Sequence, residues 1–372
     1  MADVNVKPGP RRLISVQGLR GLAVVVVILV HLHHTEARFV GTPGWLGAWN
    51  AVGIAGVDIF LVVSGFVLTY LAIDNFGDVR HVKSYVYARV TRLYPMYMLL
   101  TLLLVPVFLV APTLFGSAEG HQINLWRSIF LVPDVRLPLI SVAWTLHHEL
   151  YFYIVLGVML LFPQRHLPLM ILAWAVVTTV LVIWGQSVPR AEQGAFERIF
   201  FNPINYEFVL GMMAAWHFHR GRRRGALAAA VLAVVWVVVG VTLWVHLTGK
   251  WWVSDFWRVW IYGVPATLLI WSIVTIELDN GPVFLRRLAW IGDGAYSIYL
   301  SHLLVVVIVG RVWQQLGFQG AWQHPAFLVL SLGSALFVGY GLFLRVEAPI
   351  LRWLRLHDPL RQSTLVRAAP AR

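Results

Sequence analysis

Long apolar stretches separated by short polar loops are the feature that most constrains how this chain folds. Of its 372 residues, 59% are hydrophobic and only 12% are charged, a balance that is not typical of soluble globular domains. An apolar stretch of about 20 residues can cross the hydrocarbon core of a membrane as a helix. The sequence therefore predicts an all-α, polytopic integral membrane protein with about ten transmembrane helices. The predicted spans are residues 13–35, 51–73, 86–111, 140–162, 167–186, 201–218, 226–247, 258–276, 290–312 and 325–345.

The net charge of +12 is explained by the orientation of these spans. With the N-terminus in the cytoplasm, most of the 29 lysines and arginines fall in cytoplasmic segments, as the positive-inside rule requires. We therefore predict a multi-pass protein of the cell membrane with both termini cytoplasmic, surrounded by lipid and without a nucleic-acid partner. Residues 1–360 are predicted to form the transmembrane domain, and residues 361–372 a basic cytoplasmic tail. The sequence does not indicate an oligomeric state.

Arg20 and His31 enclose an almost wholly apolar run in the first predicted span. Eleven residues at about 100° each return a helix to within about 20° of its starting angle, so the two side chains share one face, about 16 Å apart along the axis. Ionisable groups inside a membrane are costly and usually have a function or a partner. The alternative for Arg20 is an interfacial residue that only sets the topology.

Three titratable residues on three predicted spans are assigned to one depth by the predicted orientation. Asp58 falls about 10 Å and Glu149 about 13 Å below the outer surface, near the level of His31. Because unpaired carboxylates in hydrocarbon are costly, we expect the three to face one another or a water-filled cavity. The alternative for Asp58 is a structural contact to a helix or an arginine.

Several short motifs follow one another on successive predicted spans. They are Gly18-Leu19-Arg20 with His31, and residues 56–66, 89–95, 144–153, 207–211, 295–302 and 347–349. In their order and placement the chain resembles the membrane-bound acyltransferases of the acyltransferase 3 family over nearly its whole length. Gln17 is a departure, because relatives often carry Asp at that position. The resemblance implies an enzyme that transfers an acyl group, commonly acetyl, from acyl-CoA to a hydroxyl of a sugar, glycan, antibiotic or lipid.

That reaction needs a base, because an alcohol is a poor nucleophile at neutral pH. His31 is the predicted general base, since a neutral imidazole titrates near working pH. Glu149 or Asp58 would fix its tautomer and stabilise the imidazolium. Whether His31 acts as a base or is transiently acylated stays open.

The donor, acetyl-CoA in the commonest case, would enter from the cytoplasm and present its phosphates to cations with a fork geometry. The predicted donor-binding residues are Arg20, Arg89 and Arg92. The predicted acceptor-binding residues are Trp144, Tyr153 and His302. For His302 a hydrogen bond to a neighbouring backbone carbonyl is an equal alternative.

Two other interpretations account for fewer of these residues. A transporter or flippase of a glycan or lipid-linked substrate would also need a polar path through the membrane, but many transporters show internal repeats that are not evident here. A metal site is not expected, because the histidines near His31 and His148 have no established ligand spacing. The sequence therefore predicts an enzyme without a metal cofactor.

Overall fold

The computed structural model describes residues 13–41, 44–47, 53–115, 123–221, 225–280, 284–320 and 322–358. These residues form helices and connecting loops, with no β-strand among them, so the predicted all-α class is confirmed. The helices are α1 (Ile14–Phe39), α2 (Ala55–Ala72), α3 (Val79–Val110), α4 (Trp144–Met159), α5 (Leu167–Ser187), α6 (Asn205–His219), α7 (Ala226–Thr248), α8 (Val264–Asn280), α9 (Ala295–Leu316), α10 (Gln323–Leu342) and α11 (Ala348–Leu356). The predicted tail, residues 361–372, lies outside the described residues.

Eight helical segments within the described ranges are long and apolar enough to cross a membrane, which makes this a polytopic membrane protein. Each predicted span coincides with one of the helices α1 to α10. The helices α4 and α6 have only 16 and 15 residues. They are about 24 and 22 Å long, shorter than a hydrocarbon core of about 30 Å. The predicted total of ten crossings therefore stays a prediction.

Helix α1 lies at the centre of the bundle, where it contacts α2, α9, α10 and the short helix Ala289–Asp293. Its first turn is held by a carboxylate from α8. The backbone N–H groups of Ile14 and Ser15 donate to the two oxygens of Glu277 at 2.8 and 2.9 Å. Such a contact satisfies amides that the start of a helix leaves unpaired. The central helix is therefore tied to α8 at its first residue.

Helices α2 and α6 approach each other closely through two glycines. A Cβ atom on Gly211 would lie 2.2 Å from the Val62 carbonyl oxygen, and one on Gly65 would lie 2.5 Å from that of Phe208. Only glycine allows two helix backbones to pack at this distance. Gly65 and Gly211 therefore allow α2 and α6 to pack in direct backbone contact.

Candidate active site

A cavity with both apolar and charged lining residues lies inside the bundle between α1, α2, α3, α4 and α9. Its volume is about 140 Å³, whereas a single water molecule needs only about 10–15 Å³. Apolar side chains of α2 form much of its wall. The polar residues that line it are Arg20, Ser64, Arg89, Arg92, Thr145, Glu149, Tyr153, Tyr296 and Tyr299. The cavity therefore presents three cations and several hydroxyl groups to any ligand that enters it.

The three arginines reach this cavity from two helices. Arg20 belongs to α1, whereas Arg89 and Arg92 lie three residues apart on one face of α3. Helix α3 begins at Val79 and not near residue 86, where the predicted span begins. Arg89 is consequently about 15 Å along the helix rather than at its end. The two α3 arginines therefore lie within the helix and not at its start.

Arg92 is neutralised by a carboxylate from the far end of the chain. Its guanidinium pairs with the buried carboxyl of Glu347, which also accepts a hydrogen bond from the Ser297 hydroxyl at 2.5 Å. Glu347 ends a π-helical turn, Phe343–Glu347, between α10 and α11. Arg92 and its partner Glu347 are thus 255 residues apart along the chain.

Arg20 and Arg89 lack such a partner. Arg20 donates to the Gln17 side-chain oxygen at 3.2 Å. The Arg89 guanidinium lies 5.9 Å from the ring centroids of both Tyr85 and Tyr153, within cation–π range. Within the described part of the chain, no carboxylate lies at ion-pair distance from either guanidinium. These two arginines are therefore the cavity's available positive charges.

Glu149 faces the same cavity as the arginines. It lies in the second turn of α4 and accepts a hydrogen bond from the hydroxyl of Tyr153, one turn further on. From the sequence, Glu149 is expected near the level of His31. In the structure it lines the same cavity as Arg20, Arg89 and Arg92, so these four charged groups face one space.

His31 contacts a different group of side chains. Its ring centroid lies 5.0 Å from that of His302 on α9. The His302 ring is in turn 5.8 Å from that of Tyr299, which lines the cavity. His302 is fully buried, whereas His31 is partly exposed. His31, His302 and Tyr299 thus form a row of neighbouring rings, and Tyr299 at its end lines the cavity that contains the arginines.

Asp58 is engaged by an arginine and not by His31. Arg258 donates to both Asp58 carboxylate oxygens, at 2.9 and 3.3 Å, and both side chains are buried. Arg258 lies at the predicted start of the eighth span, directly before a π-helical turn, Val259–Gly263. The structural alternative for Asp58, a contact to an arginine, describes the observed geometry.

Trp144 lies beside the cavity without lining it. Its ring packs edge-on against His148, with centroids 5.8 Å apart, and His148 Nδ1 lies 3.1 Å from the Asn205 side-chain oxygen.

His33 and His34 pack against each other, with centroids 5.3 Å apart. Across the described ranges, no three histidine, aspartate or glutamate side chains are grouped as metal ligands would be.

Two tyrosines at the cavity were missed by the sequence argument. Tyr296 donates to the Leu93 carbonyl at 2.6 Å and lies under the Arg92 guanidinium. Tyr299 donates to the Val142 carbonyl at 2.9 Å. Both belong to the motif at residues 295–302, which is the sequence signal that could have identified them. Cations and hydroxyl groups around a cavity within the membrane can hold an anionic ligand away from bulk water.

Known proteins match this chain over most of its length. Residues 13–344 match the model of an acyltransferase domain. The exopolysaccharide production protein ExoZ of Rhizobium meliloti is 27% identical, covering 81% of this chain and 90% of that protein. The acyltransferase MdmB of Streptomyces mycarofaciens is 27% identical over 94% of both chains. The peptidoglycan O-acetyltransferase OatA of Listeria monocytogenes is 23% identical over 90% of this chain and 55% of that protein.

No solved structure matches the chain. The family match nevertheless covers almost all of the described helices, including those that carry the cavity. These relatives are named as acyltransferases or as a polysaccharide production protein. The chain accordingly belongs to the acyltransferase 3 family and is a membrane-embedded acyltransferase.

Proposed function

We propose that this enzyme transfers an acyl group from acyl-CoA to a hydroxyl of a carbohydrate acceptor. Acyl-CoA would place its phosphates against Arg20, Arg89 and Arg92, with the thioester directed toward the α9 side of the cavity. The observation that carries this proposal is the presence of three arginines in one cavity that contains few compensating charges.

The charge balance of the cavity favours an anionic ligand. Three guanidinium groups face two carboxyl groups, Glu149 and Glu347, and Glu347 is already occupied by Arg92. A buried cation without a partner is costly in a membrane protein. Phosphate oxygens accept bidentate hydrogen bonds from arginine and would supply the missing charge. Arg89, with aromatic rings but no carboxylate beside it, is the strongest candidate for that contact.

His31 would act as the general base. In the reaction its imidazole takes the proton of the acceptor hydroxyl while the hydroxyl oxygen attacks the thioester carbonyl carbon. The carbon–sulfur bond then breaks, and the departing CoA thiolate receives the proton, so that charge and protons balance. The partly exposed position of His31 allows an acceptor to reach it. Glu149, hydrogen-bonded to Tyr153, would instead organise the donor side.

The acceptor class is inferred from the relatives. One is named for exopolysaccharide production and another as a peptidoglycan O-acetyltransferase. We infer a glycan or glycoside hydroxyl as the acceptor and acetyl as the acyl group. Trp144 and Tyr153 stay proposed acceptor contacts.

The proposed location is the cell membrane, with both termini in the cytoplasm. This orientation follows from the distribution of lysine and arginine among the loops. It would give cytoplasmic acyl-CoA direct access to the arginine side of the cavity.

The test uses purified protein in detergent and measures acyl-CoA affinity and CoA release in parallel. Arg89→Gln should weaken acyl-CoA binding about tenfold or more, because a charge-assisted contact contributes about 1.5–3 kcal/mol. His31→Ala should bind the donor normally and release no CoA above background. Arg355→Gln, on the exposed face of α11, is the matched control and should behave as the wild type.

A wild-type protein that binds no acyl-CoA would contradict the proposal. Transport of a glycan or lipid-linked substrate would then become the leading function. Normal donor affinity in Arg89→Gln would show that the cavity is not the donor site.

A further inference from the structure

The pair of histidines between α1 and α9 carries one further inference. His302 and Tyr299 are three residues apart on α9, so both lie on the same helix face. Tyr299 lines the arginine cavity, and the His302 ring packs against the ring of His31. The His302 ring is thus a direct neighbour of the proposed base, His31.

Hydrogen bonding determines the tautomer of His302. Its Nδ1 lies 2.6 Å from the Tyr299 backbone carbonyl oxygen. A carbonyl oxygen can only accept, so Nδ1 carries the hydrogen of the neutral ring. Nε2 then has a free lone pair and is an acceptor.

That lone pair is buried and unused. The Nε2 atom of His302 is inaccessible to solvent and has no hydrogen-bond partner. An unsatisfied buried acceptor costs about 1–3 kcal/mol, so a partner that forms during the reaction would recover this energy. The His31 ring, with its centroid 5.0 Å from that of His302, is a neighbouring group that can supply an N–H.

In a hydrolase triad, a carboxylate orients the histidine and stabilises the imidazolium. Here Glu149 accepts from Tyr153, and Asp58 is held by Arg258. Neither carboxylate has a described contact with His31. The described side chain that packs against the His31 ring is the imidazole of His302.

We propose that His302 is a positioning residue that replaces the triad carboxylate. When His31 takes the proton of the acyl acceptor, the Nε2 lone pair of His302 accepts a hydrogen bond from the new imidazolium, which stabilises it and fixes the orientation of its ring. The inference rests on the proposed role of His31 as the base. Under this proposal His302 does not contact the acyl acceptor. It acts on the reaction through His31.

Two amide substitutions separate this role from a purely structural one. The longer side chain in His302→Gln puts an oxygen acceptor near the position of Nε2. The shorter one in His302→Asn keeps a donor for the Tyr299 carbonyl and loses the distal acceptor. A positioning role predicts that Gln preserves turnover and Asn does not, whereas a structural role predicts the reverse.

We expect kcat of His302→Gln within about threefold of the wild type. His302→Asn should lose about ten- to a hundredfold, because a hydrogen bond to a charged group is removed. Acyl-CoA affinity and acceptor KM should change little in both variants. Equal losses in the two variants, or activity kept only in His302→Asn, would overturn the proposal.

A second measurement observes the pair directly, and His302→Gln serves only to assign the resonance. In protein labelled with ¹⁵N-histidine, the Nε2 resonance of His302 should shift as His31 becomes protonated on acidification. The same shift should be absent in His31→Phe, which keeps an aromatic ring. No shift in the wild type, or an equal shift in His31→Phe, would overturn the pairing. This readout is separate from catalysis. Failure of acyl-CoA to bind the wild type would therefore reject the proposed function without deciding the histidine pair.

Discussion

The ion pair between Asp58 and Arg258 shows how a partner from a distant helix can hold a charged side chain inside the bundle. Both side chains are buried, and the guanidinium contacts both carboxylate oxygens. Asp255 adds a longer contact to Arg258 at 3.7 Å. Removing one member of such a pair leaves the other buried and only partly compensated. We therefore expect Asp58 to contribute to stability, because it does not line the cavity that contains Arg20 and Glu149.

At the residue scale, Asp58→Asn should destabilise the fold by about 3 kcal/mol, near the lower end for a broken buried pair because Asp255 keeps one contact to Arg258. Thermal unfolding in detergent measures this loss. The double variant Asp58→Asn/Arg258→Gln should recover part of it, because neither member of the buried pair then keeps a charge without its partner. Normal stability of Asp58→Asn together with lost turnover would instead assign Asp58 to the reaction.

At the element scale, the close contact of α2 and α6 positions one wall of the cavity. Gly65 and Gly211 bring the two backbones together, and Ser64 and Leu68 of α2 line the cavity beside this contact. Phe208 of α6 is fully buried in the core behind it. A change in helix separation would therefore move the cavity wall itself.

We expect Gly211→Ala to lower the thermal midpoint and weaken acyl-CoA binding. Its new Cβ atom would lie 2.2 Å from the Val62 carbonyl oxygen, so the helices must separate. Overpacking of this kind costs about 1–3 kcal/mol. The control is Gly333→Ala on α10, where a Cβ atom would meet open space. Similar midpoints for the two variants would contradict the packing role of Gly211.

At the scale of the whole molecule, the location of the donor depends on which side of the membrane each loop occupies. The arginine cavity opens to acyl-CoA only if the segments predicted to be cytoplasmic face the cytoplasm. The chain contains no cysteine, so a single introduced thiol can be labelled without background. Gln164 before α5, Lys250 after α7 and His357 after α11 are exposed positions in three different connections.

In right-side-out vesicles, a membrane-impermeant maleimide should label Lys250→Cys and leave Gln164→Cys and His357→Cys unlabelled. Inverted vesicles should give the opposite pattern, because the predicted orientation assigns the last two positions to the cytoplasm. Detergent-solubilised samples, in which all three should react, control for accessibility. Labelling of Gln164→Cys and Lys250→Cys from the same side would reject the predicted topology.

The sequence by itself determined the fold class, the approximate positions of ten helices and the family. These properties are local: hydropathy over one stretch reports one helix, and each family motif lies within one or two turns. It also identified Arg20, Arg89 and Arg92 as a group. It did not find the longer start of α3, because the polar residues after Val79 lower the hydropathy there.

Only the tertiary structure decided which charged groups meet. Asp58 and Arg258 are 200 residues apart, and Arg92 and Glu347 are 255 residues apart. His31 meets His302 rather than Glu149 or Asp58 among the described contacts. Hydropathy reports how deep a residue lies, but the rotation of each helix and the choice of its neighbours decide what it faces. Those two quantities are set by side-chain packing between distant segments.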